Sequence, residues 1–412
     1  MATGHILIAG GGLAAATAAK TLRSEGFEGR ITVVCAENEQ PYLRPPLSKE
    51  FLLGKAGEDA VPVLAAGWYA ENDVELVLGE TVAAADPAAH TARLGSGTEL
   101  HFSKLLIATG AQPRRIPLPG SDLAGVTTFR TFNDSRRLKE ELSGGGRKVV
   151  MIGSGWIGME LAAAASSYGN SVTLLGLEEV PLSMAIGPEL GGYFRSLHES
   201  HGVQFRLPAS AAGITGAGGK ASAVATNSGE VLPADLVVVA VGVVPDTALA
   251  EAAGLEIRNG VVVDASLRTS SPDVFAAGDV ANALHPFTGD HHRSEHWSNA
   301  LNGGKVAAKA MLGQEAALDI VPYFYTDQFD VSMEYWGYPT LAAGSVPVIR
   351  CSLEDNNFLA FWLRDGAVVA GMSVNQQKVQ KPVKALISGR IPVDVERLAD
   401  PAVPLDQLLP GS

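Results

Sequence analysis

The sequence has 412 residues, which is more than one hydrophobic core usually serves, so two or three domains are expected. A formal net charge of −13 opposes binding to nucleic acid and to anionic membrane, because both are polyanions. The two cysteines, Cys35 and Cys351, form no C-x-x-C pair, so a redox dithiol, a disulfide framework and a thiolate metal cage are excluded. No metal is expected, and any redox chemistry has to come from a bound cofactor.

The first predicted element is a strand at His5–Ala9, reached without a basic leader or a cleavage site. Three glycines, Gly10–Gly12, then lead into an alanine-rich helix that continues to about Arg23. The β-branched run Ile31–Cys35 is typical of a buried parallel strand and ends just before Glu37. These elements predict one βαβ unit, and the absence of a leader predicts a cytoplasmic protein.

The same pattern returns in the middle of the chain. We predict a second βαβ unit from a strand at Lys148–Ile152, a glycine turn, a helix to about Tyr168 and a strand at Ser171–Leu175. A further buried strand that ends at a glycine turn is predicted before this unit, at Leu105–Gly110, and another after it, at Leu236–Gly242. The two halves therefore share one internal plan, and no apolar run approaches the roughly 20 residues that span a bilayer.

Breaker-rich stretches at Ala111–Pro119 and Gly144–Gly146 are predicted to mark crossings into the second domain. Aromatic residues become frequent after Val321, and the alternation over Phe358–Val369 predicts an antiparallel sheet. The predicted fold class is α/β, with two Rossmann-like domains and a C-terminal α+β domain. The first Rossmann-like domain is predicted to comprise residues 1–113 and 244–316, and the second to comprise residues 114–243. The C-terminal domain is predicted to comprise residues 317–412.

The first glycine turn, Gly10-x-Gly12-x-x-Ala15, fits the dinucleotide-binding fingerprint. Its first glycine makes the turn, its second lets backbone amides approach a pyrophosphate, and its small third residue packs helix on strand. The helix N-terminus adds a partial positive charge. Glu37 follows Ala15 by 22 positions at the end of the next strand, where a carboxylate can accept hydrogen bonds from ribose hydroxyls.

The second turn, Gly153-x-Gly155-x-x-Gly158, meets every glycine requirement, so the chain is expected to bind two dinucleotides. Glu178 lies 20 positions past Gly158, a suitable distance for a ribose contact. In the alternative, Glu178 and its neighbour form a solvated loop pair that does not touch the ribose. No Arg or Lys between positions 170 and 186 could hold a 2′-phosphate, which favours NADH over NADPH.

Several longer motifs carry a family resemblance. They are Pro41-Tyr-Leu-Arg-Pro-Pro-Leu-Ser-Lys49, Ala108-Thr-Gly110, Gly155-Trp-Ile-Gly-Met-Glu160, Phe275-Ala-Ala-Gly-Asp279, Glu295-His-Trp297 and Pro322-Tyr-Phe-Tyr-Thr-Asp-Gln328. With them, nearly the whole chain resembles the putidaredoxin reductase type of ferredoxin reductase. This family includes rhodocoxin reductase and the biphenyl-dioxygenase reductases, with a glutathione reductase-like fold that lacks the redox disulfide.

The resemblance implies that Lys49 lies near the flavin ring and pairs with Glu160, both as catalytic residues. It also implies that Asp279 accepts from the ribityl chain and that Trp297 stacks beside the flavin. The predicted FAD contacts are Gly10, Gly12, Leu13, Ala14, Ala15, Glu37, Arg44, Pro45, Lys49, Val82, Ala108, Thr109, Gly110, Arg130, Gly278, Asp279, Glu295, His296, Trp297 and Ala300. The predicted nicotinamide dinucleotide contacts are Gly153, Gly155, Ile157, Gly158, Glu160, Glu178 and Gly242.

The function implied is electron transfer from NADH through FAD to a [2Fe-2S] ferredoxin that feeds a haem or Rieske-type oxygenase. The protein is expected to be a monomer or homodimer. Two alternatives stay open: a reductase of a small acceptor resembling monodehydroascorbate or a quinone, and a redox-sensing flavoprotein resembling apoptosis-inducing factor. Many relatives of the family carry tryptophan at the position of Tyr325, and this difference slightly favours the reductase of a small acceptor.

Overall fold

The computed structural model describes residues 4–409 of the chain. They divide into two compact units that are each built from discontinuous segments. The first unit comprises the chain up to Pro45, Gly57–Gln112 and Val243–Pro322. The second comprises Pro46–Ala56, Pro113–Gly242 and the chain from Tyr323 onward.

The strands cover both units. In chain order they are β1 (His5–Ala9), β2 (Arg30–Cys35), β3 (Val74–Leu78), β4 (Val82–Asp86), β5 (Thr91–Leu94), β6 (Glu99–His101), β7 (Lys104–Ile107), β8 (Ala111–Pro113), β9 (Val126–Thr128), β10 (Lys148–Ile152), β11 (Ser171–Leu175), β12 (Gln204–Arg206), β13 (Ala211–Ala217), β14 (Lys220–Thr226), β15 (Val231–Pro233), β16 (Leu236–Val239), β17 (Val243–Pro245), β18 (Val261–Val263), β19 (Val274–Ala276), β20 (Ala281–Leu284), β21 (His291–Arg293), β22 (Tyr323–Gln328), β23 (Val331–Gly337), β24 (Val348–Ser352), β25 (Asn357–Arg364) and β26 (Ala367–Val374).

Helices also belong to both units. They are α1 (Leu13–Ser24), α2 (Trp68–Glu71), α3 (Phe132–Leu142), α4 (Trp156–Ser167), α5 (Ser183–Ile186), α6 (Pro188–Ser200), α7 (Ala248–Ala252), α8 (Trp297–Met311), α9 (Pro339–Ala342), α10 (Gln380–Gly389) and α11 (Val395–Ala399). Short 3₁₀ turns occupy Pro45–Ser48, Glu58–Ala60 and Leu405–Leu408.

A five-stranded parallel sheet in the order β19-β7-β1-β2-β3 forms the centre of the first unit. Its inner strands are nearly continuous runs of buried apolar residues, as expected when both faces of a parallel sheet are covered. Two three-stranded sheets, β4-β5-β6 and β18-β20-β21, also belong to this unit. Apolar side chains of the sheet, of α1 and of α8 form one continuous core.

Helices α1 and α8 of the first unit approach each other very closely. A Cβ placed on Gly304 would lie 2.5 Å from the carbonyl oxygen of Ala14 and 2.9 Å from the Cβ of Thr17. A glycine inside a helix normally costs stability because it orders a flexible backbone. Here the missing side chain is what lets the two helices meet.

The second unit contains a parallel sheet and an antiparallel sheet, each with five strands. The parallel sheet has the order β12-β11-β10-β16-β9, and the antiparallel sheet has the order β22-β23-β26-β25-β24. A small sheet, β13-β14-β15, belongs to the same unit. Apolar residues of β10, α4 and α6 share one core with residues of the antiparallel sheet.

The two predicted βαβ units and the C-terminal antiparallel sheet are confirmed, as is the predicted fold class. The change between units falls in the predicted Ala111–Pro119 stretch, but Gly144–Gly146 lies inside the second unit. There Gly145 and Gly146 have positive φ, so these glycines form the turn from α3 into β10 and mark no crossing. The assignment of three domains stays a prediction.

Among the helices of residues 4–409, none has both the length and the hydropathy that crossing a membrane requires.

Replacing Gly304 with alanine is expected to destabilise the first unit by about 1–3 kcal/mol, since the new methyl group would overlap the backbone of α1. Gly192→Ala in α6 is the control, because a Cβ there meets nothing within 4 Å. That change should be neutral or stabilise by up to about 1 kcal/mol. Urea unfolding followed by circular dichroism measures both variants, and equal effects would contradict the close approach of α1 and α8.

Candidate functional site

The predicted FAD residues of the first unit gather where its parallel strands end. In the sheet register Ala9 lies beside Val34 and Ile107, and Ile107 lies beside Ala276. The segments that follow these strands therefore leave the sheet at one edge. They are Gly10–Gly12, Glu37, Ala108–Gly110 and Gly278–Asp279. In open α/β sheets this edge is where ligands bind.

The turn into α1 depends on Gly10. Its φ is +127°, and a Cβ there would lie 2.1 Å from the carbonyl oxygen of Ala108, so no other residue fits. Gly12 caps α1 with extended backbone, and no side chain caps its amides. A Cβ on Gly12 would meet nothing within 4 Å, so the approach to the helix N-terminus is open. These features fit the pyrophosphate of a dinucleotide.

Glu37 is held by side chains of the segment that follows it. The hydroxyl of Tyr42 lies 2.9 and 2.8 Å from the two carboxylate oxygens, and the Arg44 guanidinium is 3.8 Å away. Arg44 also lies over the ring of Tyr42, 5.4 Å from its centroid. The carboxylate predicted to bind ribose is thus oriented before any ligand arrives, and Tyr42 was not predicted to have this role.

A second group of predicted residues surrounds the start of α8. Trp297 is the first residue of this helix and 36% of its surface is exposed, while Ala300 is half-buried one turn later. Burial lowers the pKa of His296 to about 4, against an opposing effect of Asp279, so the imidazole is neutral at pH 7. Glu295 forms an ion pair with Arg293 at 2.7 Å. An exposed flat ring beside a neutral histidine suits the edge of a flavin site.

Other residues that are predicted to contact FAD lie in separate parts of the first unit. Val82 is half-buried in β4, and Ala108 is buried next to Gly110, whose φ is +74°. The Thr109 hydroxyl donates to the carbonyl oxygen of Asp246 at 2.6 Å, so its side chain already has a structural partner. Pro45 begins a 3₁₀ turn.

The second unit repeats the glycine arrangement at its own parallel sheet. Gly153 has φ +119°, and a Cβ there would lie 2.2 Å from the carbonyl oxygen of Ala240. Gly155 caps α4 without a side-chain hydrogen bond and has open space around its missing Cβ. A Cβ on Gly158 would lie 2.1 Å from the carbonyl oxygen of Gly153, which explains the third glycine. Ile157 on the first turn is 43% exposed.

Glu178 has a role within the protein. Its Oε2 accepts from the Ser183 hydroxyl at 2.6 Å and from the Met184 amide at 3.1 Å, which holds the start of α5. A ribose contact by Glu178 therefore stays a prediction that has to be compatible with these bonds. Gly242, with φ +89°, follows β16 at the same sheet edge and has open space where a side chain would be.

Lys49 and Glu160 form a buried ion pair in the second unit. Lys49 Nζ lies 2.8 Å from Glu160 Oε1, and the two side chains are 6% and 3% exposed. Burying two charges costs several kcal/mol per ion unless further hydrogen bonds support them. Ser48 and Thr326 provide that support, since their hydroxyls donate to Oε2 at 2.5 Å and to Oε1 at 2.6 Å. Glu160 thus accepts from three donors.

Tyr325 lies next to this pair. Lys49 Nζ is 5.3 Å from the centroid of its ring, within the range of a cation–π contact. Burial raises the pKa of Tyr325 to about 12, so the hydroxyl keeps its proton at pH 7. Arg130, the other predicted FAD contact of this unit, precedes α3, and its backbone amide lies 3.1 Å from the Asp134 carboxylate.

Sequence reasoning missed the hydroxyl partners of Glu160 and the residues behind them. Thr326 and Gln328 alternate on one face of β22 and are both 1% exposed. Polar residues two positions apart on a buried strand face are a signal that could have identified them. His198 on α6, also fully buried, gave no such signal, because an isolated histidine in a helix has many ordinary explanations.

Comparison with known proteins identifies the family. Residues 4–304 match the pyridine nucleotide-disulphide oxidoreductase family, and residues 323–409 match the reductase C-terminal family. The ferredoxin–NAD(+) reductase component of the anthranilate 1,2-dioxygenase system from Burkholderia cepacia is 37% identical over 412 residues, covering 99% of this chain and 100% of the relative. The chain belongs to the ferredoxin–NAD(+) reductases of the putidaredoxin reductase type.

Two further comparisons agree with this assignment. The corresponding component of the biphenyl dioxygenase system from Paraburkholderia xenovorans is 36% identical, with 98% of each chain covered. Putidaredoxin reductase in its covalent complex with putidaredoxin superposes with a TM-score of 0.95 at 31% identity, covering 99% of this chain and 98% of the other. This ferredoxin reductase is accordingly an FAD-dependent oxidoreductase that uses NAD(P)H.

Removing one member of the buried pair should cost much more than removing an exposed charge. Glu160→Ala leaves the Lys49 ammonium buried without its partner, so we expect a loss of about 3–5 kcal/mol. The double variant Lys49→Met, Glu160→Gln should recover most of this loss, since no charge is left buried. Urea unfolding of the flavin-free proteins measures the difference.

The control is Glu199→Ala, which breaks the exposed pair of Arg195 and Glu199 on α6 and should cost less than about 1 kcal/mol. Similar losses for Glu160→Ala and Glu199→Ala would show that the buried pair has no special energetic role.

Proposed function

We propose that this reductase passes electrons from NADH through FAD to a [2Fe-2S] ferredoxin, which in turn supplies a haem or Rieske-type oxygenase. The observation that carries the proposal is the pair of glycine-opened helices, α1 and α4, each at the ligand edge of its own parallel sheet. The anthranilate and biphenyl relatives, which are components of dioxygenase systems, support the oxygenase. A cytoplasmic location and a monomeric or homodimeric state are part of the prediction.

FAD, when bound, accepts a hydride from a nicotinamide and releases electrons one at a time. The residues of the chain supply the binding, orientation and charge around it. In the first unit, the amides of α1 would hold the pyrophosphate and the Glu37 carboxylate, oriented by Tyr42, would hold the ribose. We assign the Lys49 ammonium, with its charge held by Glu160, to the flavin ring, where a cation favours the electron-rich reduced form.

Thiol chemistry does not compete with this route. Cys35 and Cys351 are both free. Burial raises the pKa of the Cys35 thiol to about 12, so it stays protonated and a poor nucleophile at pH 7. Although the family name refers to a disulphide, electrons in this protein have to leave directly from the flavin.

NADH is the proposed donor in preference to NADPH. Glu178 and Glu179 follow β11, and the segment from Asn170 to Ile186 contains no arginine or lysine to pair with a 2′-phosphate. Carboxylates at this position would repel that phosphate and can accept from ribose hydroxyls instead.

Substitutions at Gly12 and Gly155 test the assignment of the two cofactors. Both glycines have ordinary negative φ and open space around the missing Cβ, so valine adds bulk in front of each helix without internal overlap. Gly155→Val should retain the flavin but lose reduction by NADH, whereas Gly12→Val should be purified with little flavin. Visible absorption before and after separate titrations with NADH and NADPH measures both effects. Loss of flavin from Gly155→Val would contradict the assignment.

The acceptor is tested by the reduction of cytochrome c. Rapid NADH-dependent reduction only when a [2Fe-2S] ferredoxin is added supports the proposed function. Equally rapid reduction of a quinone without any carrier would favour a small-molecule reductase, the alternative toward which Tyr325 leans. Slow flavin oxidation by every acceptor, together with NADH-dependent dimerisation, would favour a redox-sensing flavoprotein.

A further inference from the structure

A chain of buried hydrogen bonds extends from the carboxylate of Glu160 to a histidine on another helix of the second unit. The Thr326 hydroxyl donates to Glu160 at 2.6 Å, and the Gln328 amide nitrogen donates to the Thr326 hydroxyl oxygen at 3.1 Å. The amide oxygen of Gln328 lies 2.8 Å from His198 Nε2. All four side chains are at most 4% exposed. Nothing in the electron-transfer proposal accounts for Gln328 or His198.

The direction of this chain follows from the donors and acceptors of each group. Gln328 presents its carbonyl oxygen to His198, so the imidazole must donate from Nε2. The amide nitrogen of Gln328 then faces Thr326, whose lone pair it occupies. The hydroxyl hydrogen of Thr326 consequently points to Glu160. Every hydrogen bond in this series is therefore donated in the direction of the Glu160 carboxylate.

The surroundings of His198 favour this single arrangement. Its ring packs against Phe329, with centroids 5.0 Å apart, and against Phe205 at 6.2 Å. Burial lowers the pKa of His198 to about 4, and the neighbouring His201 adds to this effect, so the ring is neutral at pH 7. Its Nδ1 contacts no hydrogen-bonding group within residues 4–409. A hydrogen on Nδ1 would leave a buried donor unsatisfied, whereas a hydrogen on Nε2 leaves only a lone pair.

We propose that His198 is a positioning residue which acts on Glu160 through Gln328 and Thr326. It keeps the Thr326 hydroxyl donating to the Glu160 carboxylate, and this hydrogen bond sets how much of the Lys49 charge the carboxylate offsets. The opposite tautomer of His198 would turn the Gln328 amide around, and the Thr326 hydroxyl would then donate to Gln328 and leave Glu160. The chain is not a proton path, because a primary amide does not readily pass a proton from one of its atoms to the other. It fixes a dipole instead.

The consequence for the cofactor rests on the proposed function, which assigns the Lys49–Glu160 pair to the flavin ring. A hydroxyl dipole on Glu160 offsets part of the carboxylate charge and leaves more of the Lys49 charge effective. Losing that dipole makes the neighbourhood of the pair more negative. Reduction of the flavin, which adds negative charge, should then become less favourable.

Thr326→Val, which keeps the shape of the side chain and removes the hydroxyl, tests this consequence. We expect the midpoint potential of the bound flavin to become more negative by about 30 mV. This shift corresponds to an equilibrium constant for two-electron reduction that is about tenfold smaller. Thr326→Ser should keep the wild-type potential. Ser373→Ala, which deletes another buried hydroxyl from the same antiparallel sheet, is the control and should leave the potential unchanged. Equal potentials in Thr326→Val and the wild type would overturn the proposal.

The role of His198 is tested in the same way. His198→Gln retains an N–H donor toward Gln328 and should retain the potential, whereas His198→Leu should reproduce the shift of Thr326→Val. Identical behaviour of His198→Gln and His198→Leu would show that packing alone matters at this position.

The tautomer of His198 can be measured independently of the flavin. Nitrogen-15 correlation spectra of the histidine rings, assigned with the His198→Gln variant, should show the hydrogen on Nε2 in protein with or without FAD. A hydrogen on Nδ1 with none on Nε2 would overturn the proposed series of hydrogen bonds even if the protein reduces ferredoxin. Conversely, a protein that binds no flavin but shows the Nε2 tautomer would contradict the proposed function and leave the positioning of Glu160 intact.

Discussion

The close passage of backbone against backbone at two glycines is the constraint on which the sites of this protein depend. At Gly10 a side chain would lie 2.1 Å from the carbonyl oxygen of Ala108, and at Gly153 one would lie 2.2 Å from that of Ala240. Both turns need positive φ as well, which L-residues rarely adopt. Each turn places the N-terminus of a helix at the edge of a parallel sheet, so the two proposed anion sites would follow from local sterics and the helix dipole.

The buried pair of Lys49 and Glu160 is a different kind of constraint. Two charges out of water are tolerable only with good geometry and satisfied hydrogen bonds, and Glu160 meets this condition with Lys49, Ser48 and Thr326 as donors. Such an arrangement is costly as a device for stability, since an apolar pair of similar volume would often do as well. The proposed function gives the pair another role, since it assigns the fixed charge of Lys49 to the flavin ring.

The duplication of one plan explains how two cofactors are served by one chain. Both parallel sheets place a glycine turn after a central strand and further loops after the neighbouring strands. The differences lie in the second carboxylate: Glu37 is held by the side chain of Tyr42, whereas Glu178 holds the start of a short helix. The first site is therefore more completely formed by side chains than the second.

The sequence by itself determined the two fingerprints, their strands and helices and the C-terminal sheet, because these depend on residue spacing along a short stretch of chain. Its longer motifs added the family resemblance. Glycine periodicity and β-branched runs are local signals, and they predicted β1, α1, β10 and α4 to within about one residue. Only the tertiary structure showed that the missing side chain of Gly304 allows the close contact of α1 and α8. It also showed that Gly144–Gly146 is a turn inside the second unit. It alone joined Ser48, Glu160, Thr326, Gln328 and His198, because hydrogen bonds between residues more than a hundred positions apart depend on how distant segments pack, which no local pattern encodes.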